Sequence, residues 1–156
     1  MFHIALYSPK IAQNTGNIIR LVANNGCQLH LIDPLGFDMD DKKLKRAGLD
    51  YHDLSSVHRH KTYPDFLTSL IDSAPKVFAI TTSGHTLYHK AYYNRGDILL
   101  FGSETHGLPD DIKMSLPEQQ QIRIPMQPHI RCINLSNAVA IVSYEAWRQH
   151  QFFGGS

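Results

Sequence analysis

Short runs of apolar residues alternate along the chain with amphipathic stretches. Nearly every position within a run is apolar, which is typical of strands buried on both faces of a parallel sheet. The runs predict strands over residues 2–7, 29–33, 77–82, 98–102 and 121–126.

The amphipathic stretches repeat their apolar residues with the spacing of an α-helix. The first predicted helix follows Asn14 and ends at Asn25-Gly26, and the others cover residues 40–47, 63–74 and 135–149. The apolar stripe of the 63–74 helix consists of Phe66, Leu67, Leu70 and Ile71.

Strands and helices alternate without a repeat, a linker or a low-complexity segment. This order predicts one α/β domain, residues 1–156, with a mostly parallel sheet. Such sheets bind their ligands beyond the carboxyl ends of the strands. The residues that follow Tyr7, Ile80, Phe101 and Ile124 are therefore candidates for a site.

The composition is that of a globular protein, since 42% of the 156 residues are apolar and 19% are charged. These values exclude disordered and coiled-coil chains. No apolar run reaches the roughly 18 residues of a membrane span, and the first residues lack the pattern of a signal peptide. The two cysteines, Cys27 and Cys132, cannot form a disulfide framework. We therefore expect a cytoplasmic chain with no membrane association.

The first segment with potential chemistry runs from Asn14 to Arg20. It can be an ordinary helix start, with Asn14 or Thr15 as the cap and Arg20 exposed. Alternatively, free helix N-terminal amides and Arg20 together form an anion site. The net charge is only +1, so a polyanionic partner must be bound by local groups of this kind.

The second segment places Glu104 between Gly102 and Gly107, directly after a strand. It matches neither the dinucleotide-binding fingerprint nor a P-loop. The glycines permit close approach of a ligand, but a plain turn with a solvated Glu104 is also compatible with this pattern.

The third segment covers residues 122–140 and contains an apolar loop rich in Asn and Ser before the last helix. This loop can present backbone groups to a ligand. Asn134 or Ser136 can also cap the helix, and the two roles are compatible.

Together, the three segments resemble the motifs of the SPOUT superfamily of RNA methyltransferases. The match is to its small branch of tRNA 2′-O-ribose methyltransferases that act on the wobble nucleotide (position 34, a cytidine or modified uridine), and it covers essentially the whole chain. The resemblance implies a Rossmann-like sheet with a C-terminal trefoil knot, no appended RNA-binding domain, and a homodimer. It also implies S-adenosylmethionine as the methyl donor, no metal, and tRNA as the substrate, with its anticodon stem-loop as the part that is bound.

The resemblance also assigns residues. The catalytic positions fall on Arg20, Asn14, Glu104 and Asn134. The positions that bind S-adenosylmethionine fall on Ile80, Thr81, Gly102, Ile124, Met126, Cys132 and Leu135. Many enzymes of this class have Ser in place of Cys132. The resemblance therefore implies a contact between the backbone of Cys132 and the cofactor, and not a role of its side chain.

A guanidinium is a poor proton acceptor because it stays protonated at neutral pH. We therefore expect Arg20 to bind the neighbouring phosphate and to stabilise the developing alkoxide. The proton acceptor is left open among phosphate, water and Arg20, with His106 as an alternative general base.

Other readings of the charged residues remain open. Ten histidines are present, but neither cysteine lies in a CxxC pair, so zinc is not expected. The basic residues Lys42, Lys43, Lys45, Arg46, Arg59 and Lys61 are either RNA-phosphate contacts or a solvated face. A non-catalytic RNA- or nucleotide-binding module and an RNA base methyltransferase are the alternative functions.

The closing helix predicts the homodimer independently of the resemblance. Its apolar residues Leu135, Ala138, Val139 and Val142 form one stripe, and Ala140, Ile141, Tyr144 and Trp147 extend onto other faces. A helix on a single core needs one apolar stripe. A second subunit is the expected cover, with a neighbouring helix and the loop after Met126 as the alternative.

Overall fold

The computed structural model describes residues 1–40, 44 and 56–156. Seven strands of these described residues form a single sheet in which every pairing is parallel. The strands are β1 His3–Tyr7, β2 Gln28–Ile32, β3 Val57–His60, β4 Val77–Ile80, β5 Thr86–Leu87, β6 Ile98–Phe101 and β7 Gln121–Arg123. Their order across the sheet is β3-β2-β1-β6-β4-β7-β5. The predicted mostly parallel α/β sheet is confirmed.

Four α-helices are described: α1 Ala12–Asn25, α2 Tyr63–Ser69, α3 Asp110–Met114 and α4 Leu135–Gln149. The bounds predicted for the last helix are confirmed. The helix predicted over 63–74 ends early, because a 3₁₀ turn, Ile71–Ser73, follows α2. Ile71 is 68% exposed there, so its assignment to the apolar stripe was wrong.

The helices cover both faces of the sheet. Ile18, Ile19 and Val22 of α1 and Val139, Val142 and Ala146 of α4 belong to one apolar cluster with the strands. Phe66 of α2 and Ile112 of α3 belong to a second cluster with Ala5, Ile32, Ala79, Ile98 and Leu100. Successive side chains of a strand point to opposite faces, so two clusters on a central sheet explain why its strands are apolar throughout.

Several expectations concern residues outside the described ones. The charged helix predicted over 40–47 is described only at Asp40 and Leu44, and Leu44 is buried in the core. Lys42, Lys43, Lys45 and Arg46 are not described. None of the described helices is long and apolar enough to cross a membrane. The trefoil knot stays a prediction.

Candidate active site

A cavity of about 470 Å³ lies beyond the carboxyl ends of β4, β6 and β7. Its wall contains residues 80–83 after β4, residues 101–108 after β6, and the segment 132–135 that leads into α4. The position agrees with the expectation that a ligand binds beyond the strand ends. All the predicted cofactor residues lie in this wall: Ile80, Thr81, Gly102, Ile124, Met126, Cys132 and Leu135.

The segment after β6 forms a closed turn. Ser103 and Gly107 exchange two backbone hydrogen bonds, of 3.2 and 3.0 Å, in an antiparallel bridge. Gly107 has a φ of 66°, which favours glycine. A Cβ on Gly102 would collide with the backbone of Gly107 and Leu108. The two glycines are therefore required by the turn itself.

This turn directs the Glu104 carboxylate at the start of α1. Oε2 accepts a hydrogen bond from the Lys10 amide at 2.8 Å, and Oε1 accepts one from the Ile11 amide at 3.3 Å. Asn14 and Thr15 lie inside α1, whose N-cap Ile11 has no side-chain cap, so the expected Asn14 or Thr15 cap was wrong. Glu104 caps the helix instead. The amides of Lys10 and Ile11 are consequently not free to bind an external anion.

Asn14, Glu104 and Asn134 form a continuous chain of hydrogen bonds, which we call the Glu104 chain. Asn14 Nδ2 donates to Glu104 Oε1 at 3.0 Å, and Asn134 Nδ2 donates to Asn14 Oδ1 at 3.0 Å. Asn134 Oδ1 in turn accepts from the amide of Ser136 at 2.9 Å and from its hydroxyl at 2.7 Å. Asn134 thus caps α4 and links the third motif to Asn14 of the first and, through it, to Glu104 of the second. Every hydrogen bond of the Glu104 chain is donated in the direction of Glu104.

Arg20 is not part of this arrangement. It lies on α1 six residues after Asn14, which is about 9 Å along the axis and two-thirds of a turn around it. Asn14 is buried, whereas Arg20 is exposed and does not line the cavity. No ion pair to Arg20 is found within the described part of the chain. The structure therefore brings three of the four predicted catalytic residues together and leaves Arg20 on the surface.

The cavity also contains residues that sequence reasoning did not single out. Lys113 on α3 lies in its wall and pairs with Asp110 at 2.7 Å. It was missed because α3 is only five residues long, although Pro109 directly before it is a helix-start signal. Thr105 also lies in the wall, and its Oγ1 is 2.8 Å from Nδ1 of His106.

Four other histidines, His3, His30, His58 and His60, cluster under α2, away from this cavity. His30 Nε2 lies 3.0 Å from His3 Nδ1, and His30 Nδ1 lies 3.0 Å from His60 Nε2. Burial lowers the pKa of His30 to about 3 and also lowers the pKa of His3 and of His60. The described residues contain no group of three His, Cys, Asp or Glu arranged to bind a metal ion.

Comparisons with known proteins give one consistent result. The SpoU rRNA Methylase family model matches residues 1–144. The chain is 56% identical over 152 residues to the tRNA (cytidine(34)-2′-O)-methyltransferase of Yersinia pestis, covering 96% of this chain and 94% of that protein. A solved structure concerned with the 2-OH methylation of C/U34 on tRNA superposes with a TM-score of 0.89 at 41% identity, covering 97% of each chain. An AdoMet-bound rRNA methyltransferase from Sinorhizobium meliloti superposes with a TM-score of 0.82 at 25% identity, over 94% of this chain and 56% of that one.

Proposed function

This chain belongs to the SpoU rRNA Methylase family, and we propose that it transfers a methyl group from S-adenosylmethionine to the 2′-hydroxyl of nucleotide 34 of tRNA. The family and the relatives make it an S-adenosylmethionine-dependent methyltransferase. The observation that carries the assignment to this site is the Glu104 chain, which joins all three motifs at the edge of the cavity.

The cavity fits the cofactor by size and by chemistry. Its volume of about 470 Å³ lies in the range of roughly 300–1,000 Å³ that is usual for small-molecule sites. The apolar side chains of Ile80, Ile124 and Leu135 suit the adenine, while Thr81 and the backbone after Gly102 offer polar groups for the ribose and the amino-acid end. When bound, S-adenosylmethionine supplies an electrophilic methyl group on a sulfonium. The role of this chain is to align the acceptor hydroxyl and to help remove its proton.

We propose that the Glu104 chain holds the cavity and α1 in position relative to each other. Asn134 holds the cofactor-side loop to Asn14, and Glu104 holds the turn of the second motif to the start of α1. In this proposal the three residues fix the relative positions of the cavity and α1, and do not exchange protons with the substrate.

We assign Arg20 to the RNA. Its guanidinium lies on the exposed surface without an ion-pair partner in the described chain, so its fork is free to bind two oxygens of a phosphate. Arg59 offers less, because it already pairs with Asp33 at 2.9 Å. The part of the substrate that we propose is bound is the anticodon stem-loop, which presents nucleotide 34 in a loop.

We also propose a homodimer, which rests on the surface of α4. Val139 and Val142 are fully buried in the chain's own core, so a charge placed there would unfold the subunit. Ala140 and Ile141 remain half-buried, and Tyr144 is 41% exposed. α1 covers one side of α4, which agrees in part with the alternative that a neighbouring helix covers it. The apolar strip of Ala140, Ile141 and Tyr144 is left partly uncovered. A second copy of the chain is the cover that we propose.

The experiment that tests the function uses anticodon stem-loop RNAs that differ at one atom. The wild-type chain should methylate a stem-loop with a ribose at position 34 and leave its 2′-deoxy counterpart unmethylated. Methylation of both RNAs would favour a base methyltransferase, and methylation of neither would favour a non-catalytic binding module. Arg20→Ala should abolish transfer while S-adenosylhomocysteine binding, measured by calorimetry with a chelator present, stays within a few-fold. Arg20→Lys should restore little, because lysine lacks the planar fork.

A further inference from the structure

Three histidines on neighbouring strands are joined ring to ring under α2. His30 of β2 lies between His3 of β1 and His60 of β3. Its Nε2 is 3.0 Å from His3 Nδ1, and its Nδ1 is 3.0 Å from His60 Nε2. We call these three residues the histidine chain. His30 is only 3% exposed, so the two links replace the hydrogen bonds to water that its ring loses on folding.

The two links limit the number of protons that the histidine chain can hold. Each link needs one proton between its two nitrogens, and the outer nitrogens, His3 Nε2 and His60 Nδ1, can each carry one more. Three neutral imidazoles already hold three protons, so only one extra proton leaves both links intact. This limit is the same for every choice of tautomers. A second extra proton places two N–H groups 3.0 Å apart at one link, and that link breaks.

Aromatic rings enclose the histidine chain. His58 of β3 stacks on His30 with the ring centroids 5.1 Å apart. The ring centroid of Phe66 on α2 lies 5.0 Å from that of His30 and 5.3 Å from that of His60. Tyr63 packs on Phe66 in turn, and burial raises the pKa of its phenol, so it stays neutral. α2 therefore contacts the histidine chain through Phe66.

The surroundings of the histidine chain favour neutral rings. Burial is the largest cause that lowers the pKa of each of its three members. Positive charge adds to this effect, because the N-terminal ammonium group acts on His3 and His58 acts on all three. Asp65 of α2 opposes the effect at His60 without reversing it. In mild acid the closed histidine chain therefore binds fewer protons than three solvated histidines would bind.

Few other contacts hold β3 to the sheet. It lies at the end of the strand order, and its sequence VHRH offers one apolar side chain, Val57, to the core. Its backbone pairs with β2, and the amide of Asp33 donates to the carbonyl of His60 at 3.0 Å where the two strands end. Arg59 adds an exposed ion pair with Asp33. Segments with so few buried apolar contacts are the ones that open locally.

We propose that the histidine chain is an acid-sensitive switch: a second extra proton breaks it, and β3 and α2 then separate together from β2 while the rest of the sheet stays folded. The released rings are solvated, so each one binds a proton from the solvent. Opening therefore takes up protons and becomes more favourable as the pH falls.

The opening should depend steeply on pH. In the open state all three rings titrate near the ordinary histidine pKa of about 6.5, whereas the closed chain takes up at most one proton. The equilibrium constant for opening should therefore rise by about 60–500-fold between pH 6 and pH 5. A switch that depended on a single buried histidine would give a rise of at most about eightfold.

Hydrogen–deuterium exchange followed by NMR measures this opening, after correction for the pH dependence of the chemical step. The reporter is the Asp33 amide, and the reference is the Ile98 amide, which donates to the carbonyl of Lys76 at 2.8 Å in the centre of the sheet. Asp33 should show the steep rise while Ile98 stays protected. His30→Gln leaves two rings and should reduce the rise about eightfold. The control His58→Gln removes an exposed histidine of the same strand that lies outside the histidine chain, and it should keep the wild-type rise.

A second measurement needs no variant, because the ring ¹⁵N signals report how many protons each imidazole of the folded protein carries. They should show at most one extra proton in the histidine chain while the Asp33 amide is protected. Two extra protons with that amide still protected would overturn the proposal. A wild-type rise of about eightfold or less, equal exchange of Asp33 and Ile98 at every pH, or a His30→Gln variant with the wild-type rise would also overturn it. Methyl transfer enters neither measurement, so the outcome is independent of the proposed function.

Discussion

Replacing Glu104 with Gln changes one oxygen into an NH₂ group and leaves the shape of the side chain intact. In the wild type all three hydrogen bonds to this carboxylate come from N–H donors. A Gln oxygen placed at Oε1 keeps the bonds from Ile11 and Asn14 but turns its NH₂ toward the Lys10 amide. The opposite orientation keeps Lys10 and opposes the other two donors. No orientation satisfies all three.

Rotation of the neighbouring amides does not relieve this conflict. If Asn14 turned its oxygen toward the Gln NH₂, its own NH₂ would face Asn134 Nδ2, which is also a donor. Asn134 cannot turn either, because its oxygen accepts from the amide and the hydroxyl of Ser136. The amide of Ser136 is a fixed donor and sets the direction of the whole Glu104 chain.

Each hydrogen bond to a charged group contributes about 1.5–3 kcal/mol. We therefore expect Glu104→Gln to lower the free energy of unfolding by about 2 kcal/mol, which corresponds to a drop in Tm of about 4–8 °C for a chain of this length. Thermal unfolding followed by circular dichroism measures this, and methyl transfer should fall with it. The matched control is Glu118→Gln, which removes the same charge from an exposed side chain.

An unchanged Tm for Glu104→Gln would refute the reasoning, because the carboxylate would then contribute nothing as an acceptor. A double-mutant cycle adds a second check. In an Asn14→Ala background one donor is missing, so the cost of Glu104→Gln should be smaller. Equal costs in both backgrounds would show that Asn14 and Glu104 do not interact.

Three further predictions follow from other parts of the structure. Gly102→Ala places a Cβ 2.6 Å from Gly107 Cα, so it should abolish S-adenosylhomocysteine binding in calorimetry; binding at wild-type affinity would contradict the close approach that the turn requires. The pKa of buried His30 is lowered to about 3, so the unfolded chain binds more protons in mild acid and stability falls as pH falls below the unfolded value near 6.5. His30 alone should remove about 2 kcal/mol of unfolding free energy between pH 7.5 and pH 5, measured by urea titration, and His30→Gln should flatten this slope. Tyr144→Glu, at a side chain that is 41% exposed, should give a folded monomer in sedimentation; an unchanged dimer would exclude this strip of α4 from the interface.

For the last helix, the local sequence is sufficient to predict the first and last residues. Its cap, Asn134, is next to its first residue, and its apolar residues repeat with the helical period, so the predicted bounds agree with the structure. The start of α1 could not be predicted in this way. Its capping acceptor is Glu104, which lies 93 residues from Ile11 along the chain. The two missed strands also lack a local signal, since β3 is a polar edge strand with the sequence VHRH and β5 has two residues.

The candidate site was likewise predictable from the sequence only in part. The residues of the cavity wall follow from the resemblance and from the rule that ligands bind beyond the strand ends. The links within the Glu104 chain join residues 90 and 120 positions apart, and spacing along the sequence carries no signal for such contacts. The exposed position of Arg20 was one of two interpretations of its segment, and the structure confirms that Arg20 is exposed.

The central claim is that the 2′-hydroxyl of nucleotide 34 receives the methyl group. The most direct measurement is mass spectrometry of nucleosides from tRNA that lacks this modification, after treatment with the chain and S-adenosylmethionine. The account predicts a 2′-O-methylated nucleoside that comes from position 34 and is absent when Arg20→Ala is used. A methyl group on a base, or on the ribose of another nucleotide, would contradict it.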